Sequence, residues 1–279
     1  MNTPSTPTDR SAYEVGMACL CHIEATRRPS LIDALADISP DLGRLAIRFV
    51  YGEIYQRPHL SYHDRQLATV AVLAVLGNAR PQLKFHIAAA LNVGCSAAKI
   101  VELMTHLLVY AGFPTALNGV FAAKEVFDER QLHFTPTTTP SCPGDARYQA
   151  GMDALSRIDG HAGEAVMASL KGIAPDLGRF IVEFGFGEIY TRPVLELLER
   201  ELITVAALAA LGTATPQLRV HIHGLLNVGG TREQMLELAI HVAAYAGFPA
   251  AINATLAARE VFSERDAGGG DGDPSAPSG

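Results

Sequence analysis

Two histidines, His86 and His221, stand 135 residues apart, each five residues after the proline of a Pro-Gln-Leu run. From Pro81 to Leu91 the residues Leu83, His86, Ile87, Ala90 and Leu91 recur at helical spacing, so the imidazole shares the apolar face and should be at least half-buried. A buried imidazole suits general acid or base chemistry near neutrality. It equally suits a core histidine bonded to a backbone carbonyl, and recurrence in a duplicated chain shows only that the residue has been retained. A second polar stripe, Glu102, His106 and Tyr110, falls at i, i+4 and i+8 of one helix and returns as Glu237, His241 and Tyr245. Such a stripe fits a proton relay or ligand contacts, and the favoured reading is a helix–helix interface knit by polar pairs.

Arg57 and Arg192 each precede a helix-ending proline, Pro58 and Pro193, and follow Glu53 and Glu188 by four residues. A guanidinium near a helix terminus suits bidentate capture of a carboxylate; a structural salt bridge to that glutamate is the equal alternative. The copies differ at informative places: Glu201 stands opposite Gln66, His223 opposite Ala88, Glu199 opposite Asp64 and Leu198 opposite His63. His221 and His223, at i and i+2, do not share a helix face, which argues against chelation of a metal by that pair.

These residues must be positioned by helices, and by the same helices twice. A shift of 135 carries Pro40-Asp41-Leu42-Gly43-Arg44 onto Pro175-Asp176-Leu177-Gly178-Arg179, Gly52-Glu53-Ile54-Tyr55 onto Gly187-Glu188-Ile189-Tyr190, and Tyr110-Ala111-Gly112-Phe113-Pro114 onto Tyr245-Ala246-Gly247-Phe248-Pro249, without a gap. Tyr13, Gly16 and Met17 reappear as Tyr148, Gly151 and Met152, so the leading helix belongs to the repeat. Within a copy the spacing predicts that leading helix, a second from Pro40 to Tyr55, a third from Tyr62 to Leu76, a fourth from Pro81 to Leu91, a fifth from Ser96 to Gly112 and a sixth from Pro114 to Arg130. Thr231-x-x-Gln234 has capping-box form. The expected class is all-α, a tandem duplication with about six helices per copy: residues 11–130, a Thr- and Pro-rich linker 131–145, and residues 146–265, between a disordered N-terminus 1–10 and tail 266–279.

At 279 residues and 48% hydrophobic, the chain is long enough for two modules with real cores. A formal charge of −7 and the absence of a broad Lys/Arg block argue against nucleic acid as partner. Neither a secretory leader nor a membrane-length apolar run is evident, which points to the cytoplasm and to small-molecule or protein partners, with no membrane. Cys19, Cys21, Cys95 and Cys142 lack CxxC spacing. Cys19-x-Cys21 fits metal ligation or redox sensing, but small buried side chains on a helix are the favoured reading.

The runs Gly52-Glu53-Ile54-Tyr55-x-Arg57-Pro58-x-Leu60, Leu67-x-Thr69-Val70-Ala71, Leu83-x-x-His86, Ala90-Leu91-Asn92-x-Gly94 and Tyr110-Ala111-Gly112-Phe113-Pro114-x-Ala116 together resemble the carboxymuconolactone decarboxylase family, over nearly all of both copies. The related AhpD-like alkylhydroperoxidases carry a CxxC before the histidine; those positions here are Ala79 and Gln82, and Ala214 and Gln217, which argues against thiol peroxidase chemistry. Where the family pattern usually has Glu at the position of Gln82 and Gln217, this chain has Gln. The resemblance implies small all-helical subunits, hexamers of modules and hence a homo-oligomer formed as a trimer of fused pairs, no metal and no organic cofactor. It implies cofactor-independent decarboxylation of an unsaturated lactone acid or related carboxylate. His86 or His221 would deliver the proton, tuned by Glu53, Glu188 or Glu201. Arg57, Arg192, Tyr110, Tyr245, His106, His241 and His223 would contact the substrate. Isomerisation, cyclisation or hydrolysis of a related carbonyl compound, a catalytically silent helical assembly, and redox chemistry at Cys19, Cys21 or Cys95 are the competing readings.

Overall fold

The computed structural model describes residues 11–136, 138, 144–160 and 162–268, and among these every regular element is helical. In the first copy these are α1 (Ala12–Glu24), α2 (Ser30–Leu35), α3 (Pro40–Ala46), α4 (Tyr62–Leu76), α5 (Arg80–Asn92) and α6 (Ala97–Glu129). The second copy has α7 (Gly144–Asp159), α8 (Ala162–Leu170), α9 (Pro175–Phe180), α10 (Leu197–Leu211), α11 (Thr215–Asn227), α12 (Arg232–Ala246) and α13 (Phe248–Gly268). The expected disordered N-terminus and most of the tail lie outside the described residues. Helix α13 reaches Gly268, so residues 266–268 continue a helix, and α7 begins inside the span read as linker.

Local chemistry sets the boundaries. Ser61 and Asp64 form a reciprocal capping box at the start of α4, and Thr231 with Gln234 does the same for α12. Helix α6 is one helix by its ends but two by its backbone: Gly112, at φ 79° and ψ 167°, is non-helical, and Pro114 opens the second segment. In the second copy Gly247 makes the same break and separates α12 from α13. Helix α6 is long and apolar enough by composition to cross a membrane, yet it is interrupted there and buries Ile100, Leu103, Met104 and Leu107 completely.

Helices α2 and α8 go beyond the six per copy that the spacing predicts; both are short, and α2 buries no residue. The helix expected from Pro40 to Tyr55 is α-helical only to Ala46 and continues in the wider π form over Ile47–Tyr51, followed by a 3-10 turn at Ile54–Gln56. Its twin is α9 followed by π geometry over Ile181–Tyr190. The 3-10 turn after the first π segment carries Tyr55 into the interior, and the second π segment ends on the buried Tyr190.

Helices α4 and α10 lie against one another at the centre and are buried over most of their length. Each is also covered by a helix of the other copy, α12 on α4 and α6 on α10. The core is therefore shared. One apolar cluster joins Leu67, Val70 and Leu103 to Ile203 and Ala207, and another joins Ala68 and Val72 to Leu202, Leu238 and Val242.

Candidate functional site

The exchange of helices across the centre builds two polar sites, each from both copies. If residue i meets residue j of the other copy, the residue 135 after i meets the residue 135 before j, the pattern of a two-fold axis within one chain. Glu201 on α10 and His221 on α11 anchor one site. The Nδ1–H of His221 donates to Oε2 of Glu201 at 2.8 Å, and the Tyr190 hydroxyl donates to Oε1 at 2.8 Å. Tyr110, from α6 of the first copy, shares a 2.5 Å hydrogen bond with Tyr190 and sets its ring edge-on to His221 at 5.0 Å. Glu201 is fully buried and His221 is 7% exposed. An ionised carboxylate only accepts, so the Nδ1 proton is fixed and Nε2 is the atom left to take or give a proton.

The other site repeats this with one change of chemistry. His86 Nδ1 lies 2.9 Å from Gln66 Oε1, the Gln66 amide donates to the Tyr55 hydroxyl at 3.1 Å, and Tyr55 shares a 3.0 Å hydrogen bond with Tyr245 of α12. Tyr245 sets its ring edge-on to His86 at 5.2 Å. An amide in place of the carboxylate can fix the tautomer but cannot neutralise an imidazolium. Burial alone pushes the His86 pKa down to about 3. Burial likewise pushes the Tyr55 hydroxyl up to about 12 and those of Tyr110, Tyr190 and Tyr245 well up, with Glu201 adding to the effect at Tyr110 and Tyr190.

The glutamates and histidines of the two stripes hold the copies together. His106 Nδ1 accepts from Arg200 Nη1 at 3.2 Å, which leaves its Nε2–H facing Thr204 at 2.8 Å. His241 stands in the same relation to Arg65 and Thr69, at 3.4 and 2.8 Å. Arginine never accepts, so both histidines are locked neutral with Nε2 protonated. Burial first and the adjacent guanidinium second push His241 down to about 3 and His106 well below the usual range. Neither is available to protonate a substrate.

Several expectations are corrected. Arg57 donates from Nε and Nη2 to Glu237 at 2.8 and 2.7 Å, so it is an ion pair between copies rather than a free carboxylate clamp. Arg192 is paired through Nε to Glu102 at 2.8 Å, and the buried Arg200 donates to the same carboxylate at 2.8 Å. Among the described residues the terminal nitrogens of Arg192 take no partner. Glu53 pairs with Arg48 at 3.7 Å and is exposed, and the part-buried Glu188 pairs with Arg147 at 3.8 Å, whereas the two imidazoles are held by Gln66 and Glu201. His223 points outward to Glu264 at 3.1 Å, on the opposite side of α11 from His221. Sequence reasoning passed over Arg65, Arg200, Thr69, Thr204, Tyr55 and Tyr190, although polar residues repeated inside two otherwise apolar helices were a usable signal.

A 470 Å³ cleft lined by Arg157, Tyr190, Arg192, Leu195 and Leu197 reaches the second site at Tyr190, and adjoins one of 620 Å³ between Arg157, Leu198 and Asn227. Among the described residues no three His, Cys, Asp or Glu side chains converge as metal ligands, and Cys19 and Cys95 are buried thiols. Burial pushes the Cys19 thiol up, away from thiolate reactivity.

An all-α protein whose two copies complete one another's histidine sites is a fused pair of helical subunits. The carboxymuconolactone decarboxylase family matches residues 40–125 and again 175–260, and the chain belongs to it. The 4-carboxymuconolactone decarboxylase of Acinetobacter baylyi is 34% identical over 122 residues, 43% of this chain and 90% of that protein. The nitrosuccinic acid decarboxylase of Metarhizium robertsii is 29% identical over 84 residues, 30% of this chain and 58% of that one. A crystal structure described as a gamma-carboxymuconolactone decarboxylase subunit from Burkholderia xenovorans LB400 matches with a TM-score of 0.57 at 24% identity, over 93% of this chain and all of that one, a likeness of fold.

Proposed function

We propose that the chain is a cofactor-independent decarboxylase of an unsaturated lactone acid or related carboxylic acid, working by proton transfer from His221. The observation that carries this reading is the buried Glu201–His221 pair, whose hydrogen-bond partner Tyr190 lines the 470 Å³ cleft. Heterolysis of the carbon–carbon bond releases CO2 and leaves an electron pair that must delocalise into the carbonyl of the substrate. The imidazolium of His221, with Glu201 on Nδ1, gives its Nε2 proton to the vinylogous carbon; a positioned donor of this kind contributes about 10²–10⁴-fold. Arg192, and Arg157 across the same cleft, offer the positive charge that meets the substrate anion before it is desolvated. Membership of a family whose relatives carry decarboxylase names supports the reaction type.

The test is CO2 release from 4-carboxymuconolactone and a panel of unsaturated lactone acids. Release in D2O should place one solvent deuterium on the product carbon. A purified, folded chain that releases no CO2 from any of them would overturn the proposal.

A further inference from the structure

We infer that each chain carries one working site, the second, and that Gln66, Ala89 and Tyr62 make the first a site that holds the fold without turning over substrate. The inference rests on the decarboxylase reading and deepens it. Its first support is the exchange of Glu201 for Gln66 at equivalent bonds to the two histidines. Donating a proton calls for a charged imidazole, and the amide oxygen can accept its N–H but brings no counter-charge.

The second support is space. A Cβ added to Gly224 would stand 2.8 Å from Glu201 Oε2 and 2.8 Å from Ile158, so an alanine there would press on the carboxylate that holds His221. The equivalent residue of the first copy is Ala89, which has that Cβ and is 1% exposed. Gly224 thus gives Glu201 room that Ala89 takes from Gln66, which keeps its 2.9 Å bond to His86 in tighter surroundings. The third support is access. The cleft equivalent to the 470 Å³ opening of the second copy measures 230 Å³ and is lined by Cys19, His22, Gln56 and Tyr62. Tyr62, in the place of Leu197, packs its ring on His22 at 5.5 Å where the second copy has Arg157. No guanidinium lines that narrower cleft.

The experiment compares CO2 release by the wild type, by His86→Gln and His86→Asn, by His221→Gln, by His221→Gln carrying Gln66→Glu alone, and by His221→Gln carrying Tyr62→Leu, Gln66→Glu and Ala89→Gly. Circular dichroism checks each fold, and two replacements of His86 ensure that one folded variant suffices. Loss of His86 should leave kcat within about twofold, whereas loss of His221 should lower it about 10²–10⁴-fold. The three replacements together should restore at least about tenfold of that loss, and Gln66→Glu alone should not. Equal losses at His86 and His221 in an active wild type would overturn the inference while the decarboxylase reading stands. A folded triple replacement without recovery would overturn the role given to these three residues. An inactive wild type would defeat the decarboxylase reading, and this inference with it.

Discussion

His86, His106 and His241 are buried and neutral, and that state ties stability to pH. His86 and His241 titrate near 3 in the folded chain, against about 6.5 for an unfolded histidine. The unfolded chain therefore binds more protons between those values. The stabilisation is complete above about pH 6.5 and is lost as pH falls toward about 3, each histidine being worth on the order of a few kcal/mol. Melting temperature should fall steadily from pH 7 to pH 4, with a shallower fall in His86→Gln; a melting temperature independent of pH in the wild type would contradict the burial of neutral imidazoles. The burial of His86 was legible in its helical spacing with leucine and isoleucine, and His106 and His241 were legible as members of a polar stripe between helices. Their partners were not, because Thr204 lies 98 residues from His106 and Thr69 lies 172 from His241. Spacing within one helix says which face a residue occupies and nothing about which distant helix covers that face.

Helix boundaries were legible wherever local chemistry decides them, as at the Thr231–Gln234 box and the Gly112 break. The π segments were not, because no side chain announces one extra residue per turn; what selects them is the close passage of another helix. A Cβ on Gly16 would overlap the carbonyl of Ile47, and one on Gly151 would overlap that of Val182. Both glycines let the leading helix of a copy lie directly on its π segment, which leads into the 3-10 turn of Tyr55 in the first copy and ends at Tyr190 in the second. Gly151→Ala should therefore push α7 away, cost about 1–3 kcal/mol in urea unfolding, and lower kcat by displacing Tyr190 from Glu201. Unchanged stability and activity would show that the contact does not position the tyrosine.

Over the whole molecule, the tandem repeat was visible from the sequence and suggested a fused pair with sites shared by both halves, but which helices cross between the copies was not, since spacing within a copy does not say which distant helix covers it. The same repeat organises the surface. Phe113, Leu117 and Phe121 form an exposed apolar stripe on α6, and Phe248, Ile252 and Leu256 form its equivalent on α13, each between 41% and 62% exposed. Phe113 packs on Phe184 of the other copy and Phe248 on Phe49, both at 6.0 Å, so each stripe continues across the copies. Two equivalent apolar faces on one chain suit a closed ring in which the face of one chain meets that of the next. We propose the trimer of fused pairs. Light scattering should give about 90 kDa from chains of 29.7 kDa, and Leu117→Asp with Ile252→Asp should release single chains. A wild-type mass of one chain at assay concentration would contradict the ring.

At the centre of the account, Glu201 from one helix holds His221 on the next, beneath tyrosines drawn from both copies. The most direct measurement is kcat of Glu201→Gln on the best lactone acid at saturation, beside the wild type. The change removes a charge and keeps the shape, giving the second site the chemistry of the first. A fall of about 10²–10⁴-fold in kcat, with KM nearly unchanged, is the expected result. A Glu201→Gln chain that turns over substrate at the wild-type rate would contradict the account.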